Sequence, residues 1–312
     1  MEKLRERKWR PIARFLDGTA EAIMITDTNS KIVYVNRSFT RVTGYGLADV
    51  TGKTPRILHS GRQGAAFYAR MWKSISASGL WQGEIWNRRK DGEIYPEWLS
   101  ITAVRNGAGE TENYLAIFSD ITLRKQEERE LYDLATHDAL TGLPNRFLFG
   151  EQLAHALVRA KRAGHRVGLL YLDLDRFKPV NDRHGHECGD ALLQTVAKRL
   201  KRSVREEDTI ARLGGDEFAV ILEYLSRPRD TVATARKILR ALARPFVLGG
   251  NKATITASIG ISVFPFDGDD VETLMKRADG AMYKVKAEHG NDYRFSGKLL
   301  LYSTPRGILA PR

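Results

Sequence analysis

Alternating apolar and polar positions dominate the first third of the chain and predict short strands. Residues 22–27 and 31–35 alternate with a period of two and are separated by a short polar turn. Two helices are predicted next, at residues 38–43 and 65–76, because the apolar positions of the longer one recur at helical spacing. The chain therefore mixes strands and helices from the start.

Three further strands are predicted before residue 122. Residues 81–87 and 93–104 flank the turn Lys90-Asp91-Gly92, and residues 112–120 follow a glycine-containing turn at 106–109. Two strands, short helices and three more strands predict a small α+β domain, in which the helices cover one face of an antiparallel sheet.

A charged segment at residues 123–136 follows, and helix formers run through it. Leu123, Leu131 and Leu134 give it a partial apolar seam that is too short to specify a coiled coil by itself. By themselves these residues predict a solvated linker helix.

The second half has longer apolar runs with different periods. Residues 167–175 predict a buried strand that ends in Asp173 and Asp175, two acids on one face. Residues 254–264 alternate strictly and predict a strand with one buried face. Three helices are predicted from their apolar spacing, at about residues 192–204, 232–242 and 271–289.

Length and composition narrow the class of protein. A chain of 312 residues suggests two domains, and no apolar run approaches the length of a membrane span. The charged start offers no signal peptide, and the single cysteine, Cys188, excludes an internal disulfide, so we expect a cytoplasmic protein. The net charge is +12, but the lysines and arginines are interleaved with aspartates and glutamates, and there is no basic tail. We therefore expect no nucleic-acid partner.

The stretch RLGGDEFAVIL, residues 212–222, is the clearest chemical signal. Two glycines between apolar runs favour a tight hairpin, because such turns need positive φ angles. Asp216 and Glu217 follow directly and repel each other next to a strand fit for the core. A hard cation such as Mg²⁺ would relieve that repulsion; a solvated acidic tip is the alternative.

The first half resembles a PAS sensor domain of the S-box type. The motifs that carry the resemblance are ITDTNSKIVYVNRSF, TGYGLADVTGK, WQGEIWNRRKDGEIYPEW and NYLAIFSDIT. A PAS domain implies a pocket, and Trp81, Trp86, Asn87 and Trp98 resemble the region that lines it in flavin-binding relatives. FAD is therefore a candidate ligand, a plain aromatic core is the alternative, and haem held by His59 is the less favoured expectation.

The second half closely resembles a GGDEF domain, the diguanylate cyclase module. Five motifs occur in order: HDALTGLPNR at 137–146, YLDLDRFKPVNDRHGHECGDALL at 171–193, RLGGDEF at 212–218, SIGIS at 258–262 and ADGAMYKVK at 278–286. The family fold is an α+β sheet with helices on both faces, like the palm of adenylyl cyclases and polymerases. The family reaction condenses two GTP, one on each protomer of a homodimer, into cyclic di-GMP and pyrophosphate.

The resemblance implies a metal site and the groups that act on the phosphates. Asp173, Asp216 and the carbonyl of Leu174 would hold Mg²⁺ or Mn²⁺, and Asp216 would act as base with help from Glu217. The backbone amides around Phe177 would cradle phosphates. Lys178 would stabilise the transition state, and Lys286 would reach a terminal phosphate.

The same resemblance implies how guanine is read. Asn181 and Asp190 would bind the base, since a carboxylate can accept from both N–H groups of the guanine edge. A helix N-cap is the alternative role of Asp190. One position departs from the family pattern: Gly290 stands where an arginine often contacts phosphate.

A second nucleotide site is implied by Arg205-Glu206-Glu207-Asp208, which matches the family's inhibitory RxxD motif in composition and distance from the glycines. Arg205 and Asp208 would bind the cyclic di-GMP product, with Arg236 or Lys237 as a further basic contact. An exposed ion pair at a helix end is the alternative.

These interpretations divide the chain into an N-terminal helix at 1–11, a PAS domain at 12–122, a signalling linker helix at 123–136, a cyclase domain at 137–297 and a tail at 298–312. The resemblance to PAS-linked output proteins implies that the linker helix pairs two protomers, whereas a solvated linker is the alternative. An active cyclase is the preferred function. A silent domain that binds GTP or cyclic di-GMP and regulates a partner is the competing one.

Overall fold

The structure is a computed structural model that describes residues 15–248 and 251–297. The expected N-terminal helix at 1–11 and the tail at 298–312 lie outside these residues. The chain divides into two compact units between Glu130 and Leu131.

The first unit is built on a five-stranded antiparallel sheet in the order β2-β1-β5-β4-β3. Its strands are β1 (Ala22–Asp27), β2 (Ile32–Val35), β3 (Leu80–Arg88), β4 (Ile94–Arg105) and β5 (Thr111–Asp120). Its helices are α1 (Arg37–Thr43), α2 (Leu47–Val50), a 3₁₀ turn (Pro55–Leu58) and α3 (Ala65–Ser78). The predicted α+β class is confirmed, although α2 and the 3₁₀ turn were not predicted.

A helix, α4 (Thr122–Thr136), follows the first sheet. Lys125 forms an ion pair with Glu84 on β3, and the side chains of Leu123, Leu131 and Leu134 are exposed. The apolar seam predicted for this segment is therefore open to solvent.

The second unit has a five-stranded sheet in the order β12-β11-β6-β8-β7 and a separate two-stranded ribbon. The strands are β6 (Arg166–Asp175), β7 (Thr209–Gly214), β8 (Glu217–Leu225), β9 (Phe246–Leu248), β10 (Asn251–Ala253), β11 (Thr256–Phe264) and β12 (Tyr293–Phe295). The helices are α5 (Arg146–Ala163), α6 (Phe177–His184), α7 (His186–Lys201), α8 (Asp230–Leu242) and α9 (Val271–Glu288).

Both faces of this second sheet are buried, which explains the continuous apolar run of β6. Leu170, Leu172 and Leu174 face a core that includes residues of α7 and α8. Leu169 and Tyr171 face the other core, to which α5 and α9 contribute. The expected sheet with helices on both faces is confirmed.

The predicted hairpin joins β7 and β8, but its turn is one residue later than the two glycines suggest. Gly214 pairs with Glu217, so the two turn residues are Gly215 and Asp216. Gly215 takes a φ of 50°, the positive value that this turn needs. Asp216 is therefore presented at the tip of the turn, directly before β8.

Gly260 of β11 allows α9 to pack directly on the sheet. A Cβ at this position would lie 1.8 Å from the carbonyl oxygen of Ala278 and 2.4 Å from the nitrogen of Met282. Both atoms belong to the helix backbone, so relief requires the helix to move away.

We predict that Gly260→Ala destabilises the protein by about 3 kcal/mol, because the methyl group displaces α9. Gly280→Ala on the exposed side of α9 is the matched control, since nothing lies within 4 Å of its added Cβ. The control should gain about 0.5–1 kcal/mol from helix propensity. Urea unfolding followed by circular dichroism measures both; equal midpoints for the two variants would contradict the packing argument.

Candidate functional site

Acidic side chains converge where β6 ends beside the β7–β8 turn. Asp173 lies opposite Glu217 in the β6–β8 register, and the Leu174 amide donates to the Asp216 carbonyl oxygen over 3.2 Å. Asp173 is only 6% exposed. Burial raises its pKa, and the negative charges of Asp216 and Glu217 raise it further.

A lysine from α9 compensates part of this charge. The Lys286 Nζ donates to the Asp173 Oδ1 over 2.6 Å. Burial of Lys286 opposes its charge, but its bond to Asp173 and the charges of Asp216 and Asp175 outweigh burial and raise its pKa. A cation is thus held among these carboxylates by the fold itself.

Two residues that sequence reasoning did not single out hold Glu217. The Tyr171 hydroxyl donates to the Glu217 Oε2 over 3.0 Å, and the Arg146 Nη2 donates to the same oxygen over 3.2 Å. Arg146 also donates to the Leu213 carbonyl. Arg146 is the last residue of the HDALTGLPNR motif, and this was the one sequence feature that could have indicated its role. Tyr171 had no such feature beyond its position on β6.

The turn that carries Asp216 is anchored by Arg212. The guanidinium of Arg212 donates to the Gly215 carbonyl over 2.7 and 2.9 Å and to both oxygens of Asp138 over 3.0 and 3.1 Å. Burial alone would raise the pKa of Asp138, but its bonds from Thr141 and Arg212 outweigh burial and lower it. The turn conformation therefore depends on a charged network that begins in the 137–146 segment.

A residue in the left-handed backbone conformation connects β6 to the next helix. Arg176 takes φ 58° and ψ 34° between β6 and α6. This conformation turns successive amides in one direction and makes a concave surface suited to anions. Lys178 is exposed in the first turn of α6, while Phe177 packs partly against the core.

The Asn181 side chain packs against Gly189 of α7, where a larger residue would collide with it. A Cβ on Gly189 of α7 would lie 1.8 Å from the Asn181 Oδ1, and this buried oxygen has no hydrogen-bond partner among the described residues. Asp190 is exposed one residue further on. Because α7 begins at His186 with Gly185 as its N-cap, the N-cap alternative for Asp190 is wrong.

A divalent cation fits the donor set at the end of β6. Among the described residues, no three His, Cys, Asp or Glu side chains form a group that could hold a metal. Mg²⁺ does not need such a cage, since it commonly takes one or two carboxylates together with substrate phosphates. Asp173 and Asp216, with the carbonyl of Leu174, offer hard oxygen atoms of this kind.

Arg205 and Asp208 lie in the turn between α7 and β7. The Asp208 Oδ2 accepts from the backbone nitrogen of Arg205 over 3.0 Å, while the exposed Arg205 guanidinium lies 3.7 Å from the Glu207 Oε1. Arg236 lies on α8, with its guanidinium carbon 5.9 Å from the centre of the Tyr293 ring.

The first unit contains a cavity of about 870 Å³, and its lining differs from the expected one. Asn87 lines it, but Trp81, Trp86 and Trp98 are not among its lining residues. Trp86 and Trp98 alternate with Asn87 and Glu97 along their strands and so point to the opposite face. Trp81 points inward but packs edge-to-face on Phe67 instead. His59 lines the cavity and is exposed.

Comparison with known families agrees with this geometry. A model of the diguanylate cyclase GGDEF domain matches residues 135–292, about half of the chain, and a PAS domain model matches residues 20–123. The chain therefore belongs to the GGDEF family and carries a PAS domain ahead of its GGDEF domain. GGDEF domains are nucleotidyl cyclases that use divalent metal ions.

A curated protein that this chain resembles is named for cyclic di-GMP metabolism. The bifunctional diguanylate cyclase/cyclic di-GMP phosphodiesterase MucR of Pseudomonas aeruginosa is 46% identical over 167 residues, which are 54% of this chain and 24% of MucR. The chain thus spans about a quarter of that relative's length.

Across the described residues, no helix combines the length and apolarity that a bilayer crossing requires.

Two solved structures resemble the second unit. The GGDEF domain of TpbB from Pseudomonas aeruginosa has a TM-score of 0.51 at 37% identity, covering 54% of this chain and 99% of that one. The coiled coil and GGDEF domain of DgcB from Caulobacter crescentus, in complex with c-di-GMP, has a TM-score of 0.50 at 30% identity, covering 55% and 91%.

Proposed function

We propose that this protein is a diguanylate cyclase that condenses two GTP into cyclic di-GMP and two pyrophosphate. The observation that carries the proposal is the convergence of Asp173, Asp216 and Glu217 beside the left-handed turn at Arg176. Paired carboxylates next to an anion-binding turn suit phosphoryl transfer, which needs charge neutralisation and alignment rather than covalent help.

Asp173, Asp216 and the Leu174 carbonyl would hold Mg²⁺ or Mn²⁺. When bound, the ion would neutralise phosphate charge and favour loss of the 3′-hydroxyl proton. Asp216 at the turn tip would accept that proton, with Glu217 held close by Tyr171 and Arg146. Since Lys286 already neutralises Asp173, its ammonium is well placed to exchange that partner for a phosphate.

The remaining residues would orient the substrate. Amides around Phe177 and the ammonium of Lys178 would bind phosphate oxygens at the turn between β6 and α6. The unpartnered Asn181 Oδ1 is an acceptor that a guanine N–H would satisfy, and the exposed carboxylate of Asp190 would accept from the same edge. Adenine offers no such pair of donors, so this arrangement supports GTP over ATP.

A homodimer would complete the reaction, because each protomer binds one of the two GTP molecules that react. The exposed leucines of α4, Leu123, Leu131 and Leu134, support pairing of this helix with a second copy. A cytoplasmic location agrees with a soluble nucleotide substrate.

A continuous chain of contacts from the cavity of the PAS unit to α4 supports regulation by this unit. The Tyr95 hydroxyl donates to Glu97 in the cavity, and the Arg89 guanidinium lies 4.0 Å from the centre of the Tyr95 ring. Arg89 also pairs with Asp120, whose Oδ1 accepts from the Thr122 amide over 2.8 Å. A change in the cavity would therefore reach the first residue of α4 through four contacts.

The competing function is a silent domain that binds GTP or cyclic di-GMP without turnover. It is favoured by Gly290, whose φ of 69° and close approach to Asp175 leave no room for the arginine that relatives often have there. One lost phosphate contact would weaken GTP binding by about 1.5–3 kcal/mol. The intact acids at 173 and 216 favour the enzyme.

We predict that Asp216→Asn lowers turnover by about 100-fold or more, because it removes both a metal ligand and the proton acceptor while keeping the shape of the side chain. Asp279→Asn, on the exposed side of α9, is the matched control. The measurement is formation of cyclic di-GMP and pyrophosphate from GTP with MgCl₂. Turnover equal to wild type in Asp216→Asn would refute the assignment.

We further propose that the product inhibits the enzyme at Arg205, Asp208 and Arg236, away from the metal. The exposed guanidinium of Arg205 offers a planar fork to a phosphate or guanine edge.

Arg205→Ala should relieve this inhibition and keep the initial rate near that of wild type. Arg202→Ala is the control, because Arg202 is exposed in the same segment, directly after α7. Initial rates are measured with increasing cyclic di-GMP. If the product slows wild type and Arg205→Ala equally, the inhibitory site lies elsewhere.

A further inference from the structure

A groove with basic walls lies on the exposed side of α9, in the second unit. It has a volume of about 550 Å³ and is bounded by α9 and by Ser296, which directly follows β12. Its α9 residues recur at helical spacing and are Thr273, Lys276, Arg277, Gly280, Ala281 and Lys284. Lys286, which bonds to Asp173, lies two residues after Lys284 and so about 200° around the helix. The groove therefore faces away from the acidic site at the end of β6.

The positive charge of this groove is only partly neutralised. Lys276 and Lys284 are exposed, and within the described part of the chain neither ammonium forms an ion pair or a hydrogen bond. Arg277 lies 4.0 Å from the buried carboxylate of Asp267, which also accepts from a backbone amide over 2.8 Å. Asp270 is engaged as the N-cap of α9. Two lysine charges thus remain without a partner along one face of the helix.

Gly280 forms the floor of the groove between these lysines. It lies in the middle of an 18-residue helix, where glycine costs about 1 kcal/mol relative to alanine. A Cβ at this position would meet none of the described residues within 4 Å, in contrast to Gly260, so packing does not require the glycine. What glycine supplies here is close access to the helix backbone from outside the protein.

The hydroxyl of Ser296 is a second polar group in the wall of the groove. Its Oγ is buried and has no hydrogen-bond partner among the described residues. The Ser296 backbone nitrogen donates to the Ile261 carbonyl over 2.8 Å, which fixes the residue at the edge of the sheet. A buried hydroxyl without a partner costs free energy, and an oxygen atom of a bound anion would accept its proton.

We propose that this groove binds a small phosphorylated anion, with the phosphoryl oxygens over Gly280 between Arg277 and Lys284. Donors approach that point from both directions along the helix and from Ser296 at its side. A phosphoryl group offers three acceptor oxygens in different directions and so satisfies such a set, whereas a carboxylate offers two in one plane.

The rest of the sequence supports an external ligand. Residues 298–312, which follow Ser296 closely, contain no aspartate or glutamate and therefore no side chain that could neutralise the groove. The inference goes beyond the cyclase function and does not depend on it, because the groove and the acidic site lie on different sides of α9.

Acetylation of lysines by an N-hydroxysuccinimide ester, followed by mass spectrometry, tests the inference on the full-length chain one lysine at a time. Millimolar inorganic phosphate is compared with malonate and with KCl at equal ionic strength. At about twice its Kd, phosphate should slow the labelling of Lys276 and Lys284 about threefold relative to KCl. Malonate should protect them less. Lys198 is the control, since it is exposed on α7, which packs against the other face of the sheet.

Two variants locate the bound phosphate. Gly280→Leu should abolish the protection while keeping both lysines, because the side chain fills the floor and still favours a helix. Gly150→Leu is the matched control, since an added Cβ on this α5 glycine likewise meets none of the described residues within 4 Å. Ser296→Ala should raise the phosphate concentration for half-maximal protection by about threefold or more. Circular dichroism checks the fold of each variant.

Three results would overturn the inference. Unchanged labelling of Lys276 and Lys284 in phosphate, or protection confined to Lys178 and Lys286, would show that phosphate binds only at the acidic site or not at all. Protection in Gly280→Leu equal to that in wild type would remove the phosphate from the groove floor. Equal protection by malonate would show that the groove attracts anions by charge alone.

Discussion

Mutual repulsion among Asp173, Asp216 and Glu217 is the constraint on which the architecture of the second unit depends. Burial raises the pKa of Asp173 at the end of its strand, and the negative charges of Asp216 and Glu217 raise it further. The fold offsets this repulsion from several directions. Lys286 of α9 neutralises Asp173, while Arg146 and Tyr171 hold Glu217. These partners come from distant parts of the chain, so the site exists only when the two-sided core has formed.

The same constraint explains how much of the site could be predicted from sequence. The acids, the hairpin and the strands could be predicted because they follow local rules of alternation and turn chemistry. The roles of Tyr171 and Arg146 could not be predicted, because they depend on the register of β6 against β8 and on where α5 begins. The turn itself shifted to Gly215 and Asp216 because cross-strand pairing of Gly214, not glycine content, sets its position.

The cavity of the first unit was predicted less well than its sheet. The sheet and turns were predicted from alternation. Of the four residues predicted for the pocket, Asn87 lines the cavity, but the three tryptophans do not, and Glu97, which was not predicted, does. The prediction chose the tryptophans because of their residue type. Which side chains face the cavity is instead decided by the alternation of side chains along each strand. Glu97 shares a face of β4 with the buried Tyr95 and Leu99, and this alternation was the local sign that an acid would be buried. Such a group costs stability unless hydrogen bonds satisfy it, and Tyr95 and Asn87 do so.

The central claim is that the acids at the end of β6 are kept together to share a cation with a guanine nucleotide. Electron paramagnetic resonance of Mn²⁺ tests it directly, with a GTP analogue that carries methylene between its α- and β-phosphates. The account predicts that the analogue tightens Mn²⁺ binding to wild type. Asp173→Asn should weaken that binding by at least the roughly tenfold that loss of an outer-shell partner costs, while Asp182→Asn, on the exposed side of α6, should leave it unchanged. Mn²⁺ binding that ignores the analogue, or that is equal in wild type and Asp173→Asn, would contradict the account.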